Sequence, residues 1–184
     1  FRFGHRRTGD AEFLQKAGAA AGYGVTVVDM VTAEGEDAYS STDIRDAIRK
    51  GDVVRANTLL GRAWSIDGVV VKGAQRGRQI GFPTINVPLG NFVRPRFGVY
   101  AVTVTYIDGG QDRTVAGVAN LGVRPTFGGG DAGLEAYLFD FDGDLYGVHV
   151  DVALLDFIRP ELSFDGLDAL KAQIAADTQT ARRI

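Results

Sequence analysis

The hydrophobic pattern of this chain changes character once, near Gly61. Ahead of it, residues 11–22 have helical composition, residues 25–31 form a short β-branched run that predicts a strand, and residues 43–50 and 53–60 read as two short helices ended by Gly51 and Gly61. Ser40 or Ser41 supplies an N-cap for the first of that pair. Beyond Gly61 the apolar positions alternate. Residues 65–72, 98–106, 114–121, 134–141 and 148–157 predict strands, and Tyr100, Val102, Val104 and Tyr106 fall on one face of the second. Asp108-Gly109-Gly110, Gly128-Gly129-Gly130 and Asp142-Gly143-Asp144 supply turns. A closing helix is expected over 166–183, with Leu167, Leu170 and Ile174 at i, i+3 and i+7. Five or six antiparallel strands followed by one amphipathic helix predict a mainly β fold, a small closed or nearly closed barrel with the helix packed on it, behind an α/β opening.

Composition narrows what such a barrel does. A chain of 184 residues with 45% hydrophobic content builds one ordinary core plus something smaller. The net charge of −3, with basic residues scattered and not striped, argues against a nucleic-acid partner. Cysteine is absent, which excludes disulfides, thiolate metal sites and a Cys nucleophile. With only His5 and His149, a His-based zinc site is not expected, and His149 falls on the strand face away from Val150 and Val152, where water solvates it. Hard-cation chemistry with oxygen ligands remains. No apolar run approaches a bilayer span and no signal peptide is visible, so no membrane partner and a cytoplasmic location are expected. The oligomeric state is not legible. The chain opens on Phe1 and its one methionine is Met30, which reads as a fragment of a longer product.

One stretch concentrates the chemistry: residues 73–86, GAQRGRQIGFPTIN. Gly73, Gly77 and Gly81 let backbone N–H groups approach an anion, and Arg78 adds a fixed charge. Pro83 holds the chain extended, so Thr84 and Asn86 point the same way at i and i+2, a hydroxyl beside an amide carbonyl. Such a pair suits a Mg²⁺ ion that keeps waters and is otherwise held by phosphates. Taken alone, the stretch is equally a turn between strands. It is neither a Walker A loop nor a dinucleotide fingerprint. Glu135 places one carboxylate in the apolar run 133–138, either as an outward strand residue or as a functional group.

Four segments, 73–86, 117–127 (GVANLGVRPTF), 134–146 (LEAYLFDFDGDLY) and 157–164 (FIRPELSF), together resemble the riboflavin kinase module of bacterial bifunctional riboflavin kinase/FMN adenylyltransferases, the FAD synthetases. The resemblance runs from Gly61 to the last residue, with the motifs in the family's order and spacing. It implies a six-stranded antiparallel Greek-key barrel with a C-terminal helix over 61–184. The implied reaction moves a phosphoryl group from ATP to the terminal ribityl hydroxyl of riboflavin, giving FMN and ADP. Residue by residue, it implies ATP contacts from Gly73, Gly77, Arg78, Gly81, Thr84 and Asn86, Mg²⁺ on Thr84 and Asn86, and Glu135 as the base. Leu145, Phe157 and Arg159 fall where the similar kinases border the flavin ring. Asn120, Arg124, Pro125 and Thr126 lie in a shared motif, and Arg124 faces either phosphate or an Asp.

Residues 1–60 are similar to the end of the adenylyltransferase domain, through Phe3 to Gly9 (FGHRRTG) and Ser40 to Arg45 (SSTDIR). In that family the Ser-Ser-Thr turn contacts ATP phosphates, which would assign nucleotide contacts to Ser40, Ser41, Thr42 and Arg45; plain helix capping explains the same residues. The family's HxGH-type motif should precede Phe1, so adenylyltransferase activity is not expected from this fragment. Two rivals are a non-catalytic flavin-binding barrel and a barrel that binds nucleic acid or protein on a sheet face, the latter disfavoured by the acidic balance.

Overall fold

The computed structural model describes residues 2–28, 40–123 and 131–184, and the chain divides into two compact units, 1–39 and 40–184. The first holds helix α1 (Ala11–Ala21). Asp10 caps it by accepting the Phe13 N–H at 2.9 Å, and Gly22 ends it in the left-handed region at φ 79°. Residues 25–28 form no strand, and 29–31 of the expected run lie outside the described residues. A β-branched run becomes a strand only when a neighbour satisfies its backbone.

The second unit opens with α2 (Ser41–Lys50) and α3 (Val53–Leu60), closed by Gly51 and Gly61 as the sequence predicts. Their buried faces, Ala47, Ile48, Val53 and Ala56, join the same core as Trp64, Ile66 and Leu154. Asn57 fastens the pair to the sheet: its Nδ2 donates to the Leu154 carbonyl at 2.9 Å and its Oδ1 accepts the Trp64 N–H at 2.7 Å. The sequence changes pattern at residue 61, whereas packing divides the chain at 39/40. Period reports secondary structure, not which core a helix joins.

Six strands follow: β1 (Trp64–Val69), β2 (Thr84–Pro88), β3 (Gly98–Asp108), β4 (Gln111–Val123), β5 (Ala132–Leu138) and β6 (His149–Arg159). All pairings are antiparallel, in the order β1-β6-β3-β4-β5-β2. The run β6-β3-β4-β5 is a Greek key, a three-strand meander with the fourth strand returned beside the first. Val71 donates its N–H to the Asn86 carbonyl at 2.9 Å, so the segment after β1 meets β2 and nearly closes the sheet. β5 stops earlier than predicted, because Asp140 turns at φ 54°. The Gly128-Gly129-Gly130 turn lies outside the described residues.

Strand alternation sorts the residues into two faces. Inward, Ile66, Val87, Tyr100, Val102, Val104, Leu121, Leu134 and Ala136 are buried to within 1% exposure and fill the barrel. Outward, Val99, Val118 and Phe139 form a second apolar cluster with Tyr137, Ile158 and Ala181. That cluster needs cover, and α5 (Leu167–Ala181) contacts β3, β4 and β6. His149 is exposed, as expected, and its Nε2 lies 3.2 Å from Asp67 on β1.

Candidate active site

Pairing register builds the site. Asn86 on β2 faces Glu135 on β5, Glu135 faces Asn120 on β4, Asn120 faces Val99 on β3, and Val99 faces Arg159 on β6. Asn86, Glu135, Asn120 and Val99 each follow or precede an inward core residue, so these four point outward. Register shifts between β3 and β6 around Val99 and Ala101 bring Arg159 onto the end of the row. One step along, Thr84 faces Tyr137. Residues more than fifty positions apart therefore share one surface.

Above that surface lies a cavity of about 610 Å³. Its floor includes Thr84, Asn120, Glu135, Tyr137 and Arg159; its roof is Leu162, Phe164 and, from α5, Leu170, Ile174 and Asp177. Ala74, Gly77, Ile80 and Phe82 form its rim, the last with its ring edge-on to Tyr137 at 5.3 Å. Floor and roof are tied by one buried ion pair. Arg159 Nη2 lies 2.6 Å from Asp177 Oδ2 and its Nε donates at 2.9 Å to Oδ1, while Gln173 donates to the same Oδ1 at 2.9 Å. Arg159 also lies over the Phe164 ring at 5.8 Å.

The glycine-rich segment folds over β2 with a short helical turn, α4 (Arg76–Gln79). Each glycine has its own reason. A Cβ on Gly73 would overlap the Asn86 amide, and one on Gly77 would overlap the Phe82 carbonyl; Gly81 turns at φ 88°. Asn86 is 2% exposed beneath Gly73, with its Oδ1 buried and without a hydrogen-bond partner among the described residues. Such an orphan acceptor costs about 1–3 kcal/mol and calls for an explanation. A second cavity, about 730 Å³, is lined by Val71, Lys72, Asn91, Phe92, Arg94, Phe97 and Asp131. Val71 and Lys72 line this cavity and Ala74 lines the first, so Gly73 joins a residue of one to a residue of the other along the chain.

Not every expected residue gathers here. Arg78 lines a crevice of about 50 Å³ with Leu145 and Asp144. Leu145 belongs to the barrel core at 5% exposure, and Phe157 packs edge-on against Tyr100 at 5.2 Å beneath Arg96. Neither borders the cavity that Glu135 and Arg159 line; Leu145 is buried in the core and Phe157 packs half-buried against it. Ser40 caps α2 by accepting the Thr42 N–H at 3.1 Å, and Ser41 accepts from Arg45 Nη2 at 2.8 Å one turn along the helix. Arg124, Pro125 and Thr126 lie outside the described residues. The sequence reading passed over Lys72, Arg94 and Asp177. Lys72 adjoins the glycine motif and was legible as a cation; the other two carry no local signal.

Tyr100 hydrogen-bonds to the Arg96 carbonyl at the base of the barrel, and burial pushes its hydroxyl far above the usual tyrosine range against the lowering effect of the Arg96 charge. Among the described residues no group of three or more His, Cys, Asp or Glu is placed to hold a metal.

Residues 60–184 match the riboflavin kinase family, Flavokinase. The bifunctional riboflavin kinase/FMN adenylyltransferase of Escherichia coli strain K12 is 47% identical over 182 residues, covering 99% of this chain and 57% of that protein. Its namesake from Pseudomonas fluorescens is 44% identical over 185 residues, covering 100% and 58%. The chain thus spans little more than half the length of these curated relatives. A solved structure described as a macrolide-efflux protein from Streptococcus pneumoniae superposes with a TM-score of 0.82 at 37% identity, covering 100% of this chain and 58% of that one. No described helix is long and apolar enough to cross a membrane.

Proposed function

The chain belongs to the riboflavin kinase family, and from that premise we propose that it transfers the γ-phosphoryl group of ATP to the terminal ribityl hydroxyl of riboflavin, giving FMN and ADP. The observation that carries this reading is the floor of the cavity, where Thr84, Glu135 and Asn120 lie under apolar side chains, with Asn86 next to Glu135 in the strand register. A flat aromatic ring suits that roof, with Arg159 held by Asp177 at its edge. The second cavity, with Lys72 and Arg94, suits a nucleotide. Phosphates then lie at the boundary, under the Gly73–Gly81 segment.

Thr84 and Asn86 fit Mg²⁺. Among the described residues Asn86 offers a buried acceptor without a donor, Thr84 a hydroxyl on the same strand face, and no acidic cage is present, the pattern of a cation shared with substrate phosphate. When bound, the ion would neutralise charge on the transferring phosphoryl group. The chain's own residues do the rest. Glu135 accepts the hydroxyl proton as the new O–P bond forms and the bond to ADP breaks, and the α5 roof excludes water.

Residues 1–60 we assign to the end of an adenylyltransferase domain and 61–184 to the kinase domain, in line with the family match beginning at residue 60. We place the protein in the cytoplasm, acting on small molecules. The test is direct: purified chain, ATP, Mg²⁺ and riboflavin, with FMN resolved chromatographically. Riboflavin binding without ATP-dependent FMN would instead identify a non-catalytic flavin-binding barrel.

A further inference from the structure

Glu135 has an asparagine on each side. Neighbours in a cross-strand row stand about 5 Å apart, so Asn86 and Asn120 flank the carboxylate from β2 and β4. The side-chain oxygen of each is buried and has no hydrogen-bond partner among the described residues. Asn86 finds its explanation in the cation and phosphate side of the site. Asn120 does not.

Sequence alternation puts Asn120 where it is: Ala119 and Leu121 are both fully buried in the barrel, so the residue between them must point outward, into the cavity floor. Its cross-strand neighbours there are Val99 and Glu135, and Val118 and Tyr137 line the same floor. An apolar side chain would satisfy that wall without leaving an acceptor stranded. A buried amide oxygen with no donor is a liability in the empty protein and an asset once a ligand supplies the donor.

We propose that Asn120 is a specificity-determining residue, binding hydroxyl groups of the polyol chain that ends in the reacting alcohol. This rests on the riboflavin kinase reading. A polyol hydroxyl donates and accepts, and an amide does both, so one Asn engages adjacent hydroxyls where a carboxylate could only accept. Rotation about χ2 turns either end of the amide toward the cavity. The row then orders the reaction: cation and phosphates at Asn86, proton acceptor at Glu135, polyol at Asn120, ring beyond it under α5.

The test compares equilibrium binding of riboflavin with that of lumiflavin, which has the same ring and a methyl group in place of the polyol, followed by flavin fluorescence. In Asn120→Ala and Asn120→Leu, riboflavin binding weakens about tenfold while lumiflavin binding stays within about twofold, and Asn120→Ser recovers part of the loss. Leu preserves side-chain bulk should Ala loosen the wall. Equal weakening for both flavins, or an unchanged ratio, overturns the role of Asn120. Failure of the unmodified chain to bind either flavin overturns the riboflavin reading itself, a separate result.

Discussion

Replacing Asp177 with alanine should loosen the cavity roof and destabilise the unit spanning 40–184. The carboxylate is 4% exposed and takes hydrogen bonds from Arg159 Nε and Nη2 and from Gln173. The Arg159 side chain, at 16% exposure, is nearly as enclosed. Deleting one member of such a pair leaves the other charge without compensation in a low-dielectric wall, at a cost of about 3 kcal/mol. Two features temper the loss: Arg159 keeps its bond to the Pro160 carbonyl and its contact with Phe164. In a unit of this size the cost lowers the thermal midpoint by roughly 6–12 °C. Calorimetry and urea unfolding measure it, and riboflavin KM should rise with kcat less affected, because the pair shapes the acceptor cavity and not the reacting atoms. The double variant Arg159→Met with Asp177→Leu should recover more than half the stability, since no charge is then stranded. A single-variant loss below about 1 kcal/mol would show that water reaches the pair and that α5 is held by apolar contacts alone.

Three further outcomes follow from the same geometry. Glu135→Gln should lower kcat by ~10²–10⁴-fold with riboflavin binding little changed, since the amide keeps the shape but accepts no proton; near-normal turnover in single-turnover kinetics would remove Glu135 as base. Gly73→Ala puts a methyl group into the Asn86 amide, so kcat/KM for ATP should fall by ~10²-fold and the Mg²⁺ needed for half-activity should rise; a metal titration with unchanged midpoint contradicts the contact. At the end of α5, the hydrogen bond from Arg182 holds the Asp140 carboxyl below its ordinary 3.8, burial opposing it. A lowered folded-state pKa stabilises above the unfolded value and loses that contribution as pH falls through the folded one. The stability gap between the natural chain and Asp140→Asn should therefore be present near neutrality and close on acidification, whereas a gap independent of pH would assign it to packing of Arg182 on Phe139.

Several features were open to inspection in one dimension. Alternation from Trp64 onward specified strands and their inward faces, because a side chain at i and one at i+2 must share a side of any sheet. Gly51 and Gly61 marked helix ends, since both close their helices in the left-handed region. Thr84 and Asn86 on one face of an extended segment needed only Pro83 and the period of two. The helix pair 41–60 was legible as helices but not as part of the barrel core: Asn57 reaches Leu154 across 97 positions, and no local pattern encodes such a partner.

The candidate site divides in the same way. Chemistry of residue type, namely an acceptor pair after a glycine-rich turn and a carboxylate within an apolar run, is a property of the sequence. Convergence is not. Glu135 meets Asn86 and Asn120 because of pairing register, Leu145 and Phe157 turn inward because the barrel claims them, and Arg159 finds Asp177 because α5 returns over the outer face. Periodicity is local and survives in the sequence. Register, closure and helix docking depend on free energy summed over the whole core, and only the folded chain performs that sum.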